Sequence, residues 1–117
     1  MGYRKRYEDS YLDDEDEELD GDDKTDGERI VALLQKQTRT EKEEARILKL
    51  TERLFVGARL PGIPGGQAFL GLAMVADVYR DLGHTEAATK LWARILELAE
   101  AVGNQEFYYK ALDEMSA

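Results

Sequence analysis

In 117 residues this chain has no cysteine, one histidine, one tryptophan and two prolines. Without cysteine there is no disulfide, no thiolate nucleophile and no zinc–thiolate site, which fits a reducing compartment and a cytoplasmic location. The lone histidine, His84, falls in a predicted turn and has no second histidine or cysteine to act with. The longest apolar stretch is shorter than the roughly 20 residues a membrane helix needs, so no membrane span is expected. No apolar run follows Arg4-Lys5-Arg6, and no signal peptide is expected. Arg6 stands where a myristoylation signal takes Ser or Thr.

Charge is abundant but unevenly placed. The net charge is −9, and residues 1–28 carry 4 basic and 13 acidic side chains, a net of −9 by themselves. Residues 29–117 carry 12 of each sign and are neutral. Within them, residues 29–59 hold 8 basic against 4 acidic groups, and residues 60–117 hold 4 against 8. Residues 1–28 are thus an acidic tail, too poor in apolar side chains to offset an ordering cost of about 1–2 kcal/mol per residue, and are read as disordered. Tyr3, Tyr7 and Tyr11 recur every four residues, so a helix induced by a partner would align them. The tail is therefore either a solubilising segment or a docking peptide anchored by these tyrosines. Asp16-x-Glu18-x-Asp20-Gly21 opens like a calcium loop, but Gly27 occupies the closing bidentate position, so no metal is expected.

Two capping boxes follow, Thr25-x-x-Glu28 and Thr40-x-x-Glu43. They predict one helix over 26–37, a break near Thr38–Thr40 and a second helix over 41–58, with Ala45, Leu48, Leu54 and Phe55 turned inward. A single helix over 27–57 is the alternative. Gly57–Gln67, with four glycines and two prolines, reads as a connector loop. Its length suggests that the hairpins on either side do not stack tightly.

The segment from Ala68 to Gly103 predicts two antiparallel helices. Phe69, Leu70, Leu72, Ala73, Val75, Ala76, Val78 and Tyr79 leave little polar surface on the first, which calls for neighbours on several sides. Gly71 inside it suits close approach of another backbone. Gly83 supplies the turn and Thr85 the N-cap. Ala88, Leu91, Trp92, Ile95, Leu96, Ala99 and Val102 share one face of the second helix, opposite Glu86, Lys90, Arg94 and Glu97. Gly103-Asn104 stops it, and QEFYYKALDEMS forms a closing helix through Phe107 or Tyr108, Ala111, Leu112 and Met115.

The spacing Leu72-x2-Val75-Ala76-x2-Tyr79, then Gly83, Ala88-x3-Trp92 and Ile95, resembles one tetratricopeptide repeat (TPR) unit. The resemblance covers about 36 of the 117 residues. Leu72 stands in place of the usual Trp, and the closing Pro is absent. A helical bundle without repeats is the alternative. Residues 29–58 lack the signature, because it would put Gln37 at the aromatic position and Arg46 at the small one.

The expected organisation is all-α: tail 1–28, hairpin 29–58, loop 59–67, TPR-like hairpin 68–103 and closing helix 104–116. No nucleophile–base pair or cofactor motif is present, and paired carboxylates such as Asp77/Asp81 suit a solvated helix face, so an enzyme is not expected. Basic residues from Lys36 to Arg59 are interleaved with four glutamates, which argues against nucleic acid. The reading is a protein-binding module, an adaptor, assembly component or chaperone-like escort, without cofactor and with possible self-association. The rivals are an acidic-tailed regulator competing with nucleic acid for a basic partner, and a structural subunit. The TPR resemblance implies that the first helix of the unit lines the binding face, with Leu70, Ala73, Asp77, Arg80 and Asp81. Ala73, Met74 and Asp77 do not resemble the Lys and Asn of a carboxylate clamp, which favours an apolar or helical ligand.

Overall fold

Five helices make up the computed structural model, which describes residues 25–116: α1 (Asp26–Leu34), α2 (Glu41–Ala58), α3 (Gly62–Asp81), α4 (Thr85–Val102) and α5 (Gln105–Ser116). The tail residues 1–24, with Tyr3, Tyr7 and Tyr11, lie outside the described part. Asp26–Glu28, counted with the tail in the expected organisation, are the first residues of α1, whose start the Thr25 capping box predicted.

Both capping boxes are formed. Thr25 Oγ1 accepts from Glu28 N at 3.2 Å, and Thr25 N donates to Glu28 Oε1 at 2.9 Å. Thr40 and Glu43 repeat the exchange at 3.1 and 2.9 Å. Each box satisfies two backbone donors that a helix start otherwise leaves open. The break between α1 and α2 is therefore present, although α1 stops at Leu34 rather than Gln37. Arg39 explains the early stop. Its guanidinium donates to Leu34 O at 3.3 Å and Lys36 O at 3.2 Å, and pairs with Glu44 at 2.9 Å.

The inward face of α2 differs from expectation at two positions. Ile47, Leu50, Leu54, Phe55 and Ala58 are buried, whereas Ala45 is exposed and Leu48 is 67% exposed. At about 100° per residue, Ile47, Leu50, Leu54 and Ala58 form one stripe, and Leu48 and Ala45 sit about 100° or more from its centre.

The expected loop 59–67 is mostly helix. Only Arg59–Pro61 separate α2 from α3. Pro61 caps α3 without a side-chain bond, and Pro64 is its third residue. First-turn N–H groups have no acceptor within the helix, so a proline there forfeits nothing. Gly62 takes a positive φ of 74°. Gly65 packs where any Cβ would collide with the Leu60 carbonyl. These glycines let the chain reverse in three residues, and the two hairpins stack closely, contrary to what the loop length implied.

Two like turns close the rest of the chain. Gly83 has φ 89° and Gly103 has φ 78°. His84 N bonds Tyr79 O at 2.8 Å while Gly83 N bonds Arg80 O at 2.9 Å; Asn104 N bonds Ala99 O at 2.8 Å while Gly103 N bonds Glu100 O at 3.3 Å. Both are Schellman endings. The N-cap expected at Thr85 falls one residue earlier, on His84, which makes no side-chain cap bond. The tight Schellman turn has already brought Thr85 into the helix. Asn104 does cap its helix, its Oδ1 accepting from Phe107 N at 3.2 Å.

Each helix packs on the next, and α1 also packs on α3. Phe69 of α3 stacks on Phe107 of α5, with ring centroids 5.2 Å apart. Arg94 of α4 lies 3.9 Å over the Phe55 ring of α2 and donates to Glu52 at 2.8 and 3.1 Å. Thus α1, α3 and α5 form one layer, and α2 and α4 the other. Leu72, Val75, Ala76, Ile95 and Ala99 are fully buried between them. Gly71 has the role its sequence position suggested. A Cβ on Gly27 of α1 would lie 3.0 Å from Gly71 Cα, so the two glycines let α1 and α3 meet backbone to backbone. In α5, Phe107 and Ala111 are buried and Tyr108 is partly so, but Leu112 and Met115 are exposed. No helix among the described residues is long and apolar enough to cross a membrane.

Candidate functional site

Helix α3 sits against α1, α2, α4 and α5, and the strip it keeps in contact with solvent is narrow. Ile63, Gly66, Gln67 and Leu70 follow the i, i+3, i+4, i+7 pattern that places side chains on one helix face. Ile63 is 74% exposed and Leu70 60% exposed. Between them Gly66 presents open space, since a Cβ there would meet nothing within 4 Å. Phe107 and Glu106 of α5 form the other side, completing a groove lined by Ile63, Gly66, Gln67, Leu70, Glu106 and Phe107. Beyond Gly66 a second cleft continues between the α2–α3 turn and the α4–α5 turn, lined by Leu60, Pro61, Val102 and Asn104 among others. Leu60 and Val102 are exposed there. One end of the molecule therefore shows aliphatic side chains from three segments around a shallow, glycine-floored depression.

The residues singled out from sequence are distributed differently. Leu70 is in this groove. Ala73 is 4% exposed and offers no surface to a partner; it faces the packed side of α3, where its small size admits a neighbour. Asp77 is half-buried and pairs with Arg80 at 3.2 Å. Arg80 also pairs with Glu114 of α5, and this carboxylate holds the guanidinium above its ordinary pKa. These charges tie α5 to the end of α3 and stand two turns or more from Leu70. Asp81 is exposed. Tyr3, Tyr7 and Tyr11 are outside the described residues.

Ile63 and Gly66 were missed because GIPGGQ was assigned to a loop, and Phe107 was expected only to pack the closing helix. The signal was present: Ile63-x2-Gly66-x3-Leu70 already keeps helical spacing in front of the apolar run.

The shifted ionisable groups among the described residues take their shifts from ion pairs, hydrogen bonds and burial. Hydrogen bonds from Lys36 and Thr40 hold the Glu43 carboxyl below the usual carboxylate pKa, and one from Arg94 does the same for Glu52. Burial raises the Tyr79 phenol. Among the described residues no three His, Asp or Glu side chains gather as metal ligands. His84 lies exposed in its turn, 6.3 Å from the Tyr79 ring centre. No protein-family model, no curated protein and no solved structure matches the chain.

Proposed function

We propose that the protein is a TPR-like binding module that receives the apolar side of a helix or peptide from another protein. Its recognition surface is the groove between the first two turns of α3 and the start of α5. The observation that carries this reading is the exposed pair Ile63 and Leu70, two turns apart beside Phe107, with Gly66 opening the space between them. Apolar anchors at that interval match the i, i+3, i+7 ridge of an amphipathic helix. The alternation of α1, α3, α5 with α2, α4 supports the TPR resemblance, since in such repeats the first helices of successive units share the binding face. Here α5 takes the place of a third first helix and closes the stack, as solenoid ends require. Adaptor, assembly component and chaperone-like escort all fit such a surface.

A photo-crosslinking amino acid at Leu70, compared with the same group at the exposed Leu48 of α2, outside the groove lining, tests the proposal in cells. A discrete product from Leu70 that Leu48 does not give is the expected result, and it disappears when Ile63→Glu is added. Equal labelling from both positions would refute the groove. Self-association through α5 is the second reading, favoured by Tyr109, 63% exposed, and by its exposed neighbours Leu112 and Met115. Light scattering across a concentration series separates the two.

A further inference from the structure

The strip of α3 that meets solvent changes character along the helix. Ile63, Gln67, Leu70, Met74, Asp77 and Asp81 follow one another by 4, 3, 4, 3 and 4 residues, which keeps them within an arc of about 80° at about 100° per residue. Ile63, Gln67, Leu70 and Asp81 are exposed, and Met74 and Asp77 are half-buried. The first four positions are mostly apolar and continue the groove; the last two are acids. Charge on the helices that frame this end of the strip has the same sign. Together α3 and α5 carry five acids and two bases, and both bases, Arg80 and Lys110, already pair with Glu114.

The chain enters the described domain beside the middle of this strip. A Cβ on Gly27 would lie 3.0 Å from Gly71 Cα and 3.1 Å from Met74 Cε, so the start of α1 borders the Leu70–Met74 turn directly. Thr25, two residues earlier, is where the described residues begin. Ahead of it the sequence holds one basic, aromatic stretch, Tyr3–Tyr11, with three bases, two acids and a tyrosine at every fourth position. On a helix these tyrosines fall within an arc of about 80° and span about 12 Å, against about 10 Å from Leu70 to Asp77. Tyr11 stands 14 residues before Thr25, a tether that reaches up to about 46 Å when extended. A helix laid antiparallel to α3 on this tether sets Tyr11 by Leu70, Tyr7 by Met74 and Arg4 by Asp77.

We propose that the solvent strip of α3 is occupied in the free protein by this chain's own Tyr3–Tyr11 segment, which an outside ligand must displace. The inference rests on the groove as a binding surface and adds its regulation. Tyr7 and Tyr11 supply the apolar contact against Leu70 and Met74. Arg4, opposite Asp77 and Asp81, fixes the direction in which the segment lies. The tether supplies a local concentration on the order of millimolar, so an outside helix competes with a ligand already at hand.

The test places the photo-crosslinker benzoylphenylalanine at Tyr7 of the intact purified protein and maps the linked peptides of the monomer by mass spectrometry. A link within one chain to residues 67–77 is expected. Leu70→Glu should lower its yield at least about fivefold, because a carboxylate in the contact loses its water, while circular dichroism stays unchanged. In cells, replacing Tyr3, Tyr7 and Tyr11 together by Ala should raise capture of an outside partner by the Leu70 probe several-fold. Three results would overturn self-occupancy: no Tyr7 link or links to other helices alone, links between chains only, or capture at Leu70 that is unaltered or lowered by loss of the tyrosines. If the Leu70 probe still captures a partner in any of these cases, the groove stands and only its internal occupant falls. If Leu70 captures nothing from outside and Tyr7 links to nothing inside, both fall.

Discussion

Helices α2 and α3 are of similar length and lie side by side, yet they are specified in opposite ways. Helix α2 opens with a capping box and three acids in its first turn, and it buries one side through Ile47, Leu50, Leu54, Phe55 and Ala58. Helix α3 opens on Pro61 with no side-chain cap, contains five glycines or prolines in its first ten residues, and is buried along most of its length. Local signals write α2; its neighbours write α3. The first is a helix because its own ends and surface favour one, the second because burial of Phe69, Leu72 and Val75 outweighs poor intrinsic propensity.

That contrast can be broken most forcefully at the centre of α3. Leu72 is fully buried, so Leu72→Ala should cost about 2–5 kcal/mol in urea unfolding. A loss below about 1 kcal/mol would mean that α3 does not depend on its packing. Next come two glycines expected to respond with opposite signs. Gly27→Ala drives a Cβ to within 3.0 Å of the Gly71 backbone and should destabilise by about 1–3 kcal/mol. Gly66→Ala enters open space on a helix and should stabilise by about 0.5–1 kcal/mol. Equal effects at both would contradict the close crossing of α1 and α3. Thr40→Ala removes the α2 cap and should cost about 1 kcal/mol; no residue at Pro61 has a comparable side-chain bond to lose.

The smallest effects are titrations. Glu43 has its pKa lowered in the folded protein, so its contribution is present above the unfolded carboxylate range near pH 4.5 and is lost as pH falls through the folded value. Tyr79 is raised from about 10, so its contribution is complete below pH 10 and declines as pH rises toward the folded value. Melting temperatures of Glu43→Gln and Tyr79→Phe across pH should lose, respectively, part of the acid and part of the alkaline dependence.

What could be read from residues alone follows the same division. Thr25-x-x-Glu28 and Thr40-x-x-Glu43 placed two helix starts correctly, because a cap is a matter of four adjacent residues. Gly83 and Gly103 marked their turns for the same reason. The start of α3 was misjudged because proline and glycine were weighed as breakers, without regard to their place in a first turn, where proline is tolerated. Leu48 was expected inside because it is apolar, and which face of α2 is inner is decided by α3 and α4, not by α2. The groove was visible only in part. Leu70 could be named from its helix face, but Phe107 joins it from 37 residues away through a stacking contact that no spacing rule encodes.

Trp92 is the only indole in the chain and is 2% exposed, its Nε1 buried without a hydrogen-bond partner among the described residues, and Lys110 of α5 sits 5.7 Å over its ring. The protein thus carries its own optical gauge at the α4–α5 seam. Lifting the last helix would admit water to the indole and shift its emission to the red, so loosening of the closing helix can be followed by fluorescence with no dye attached.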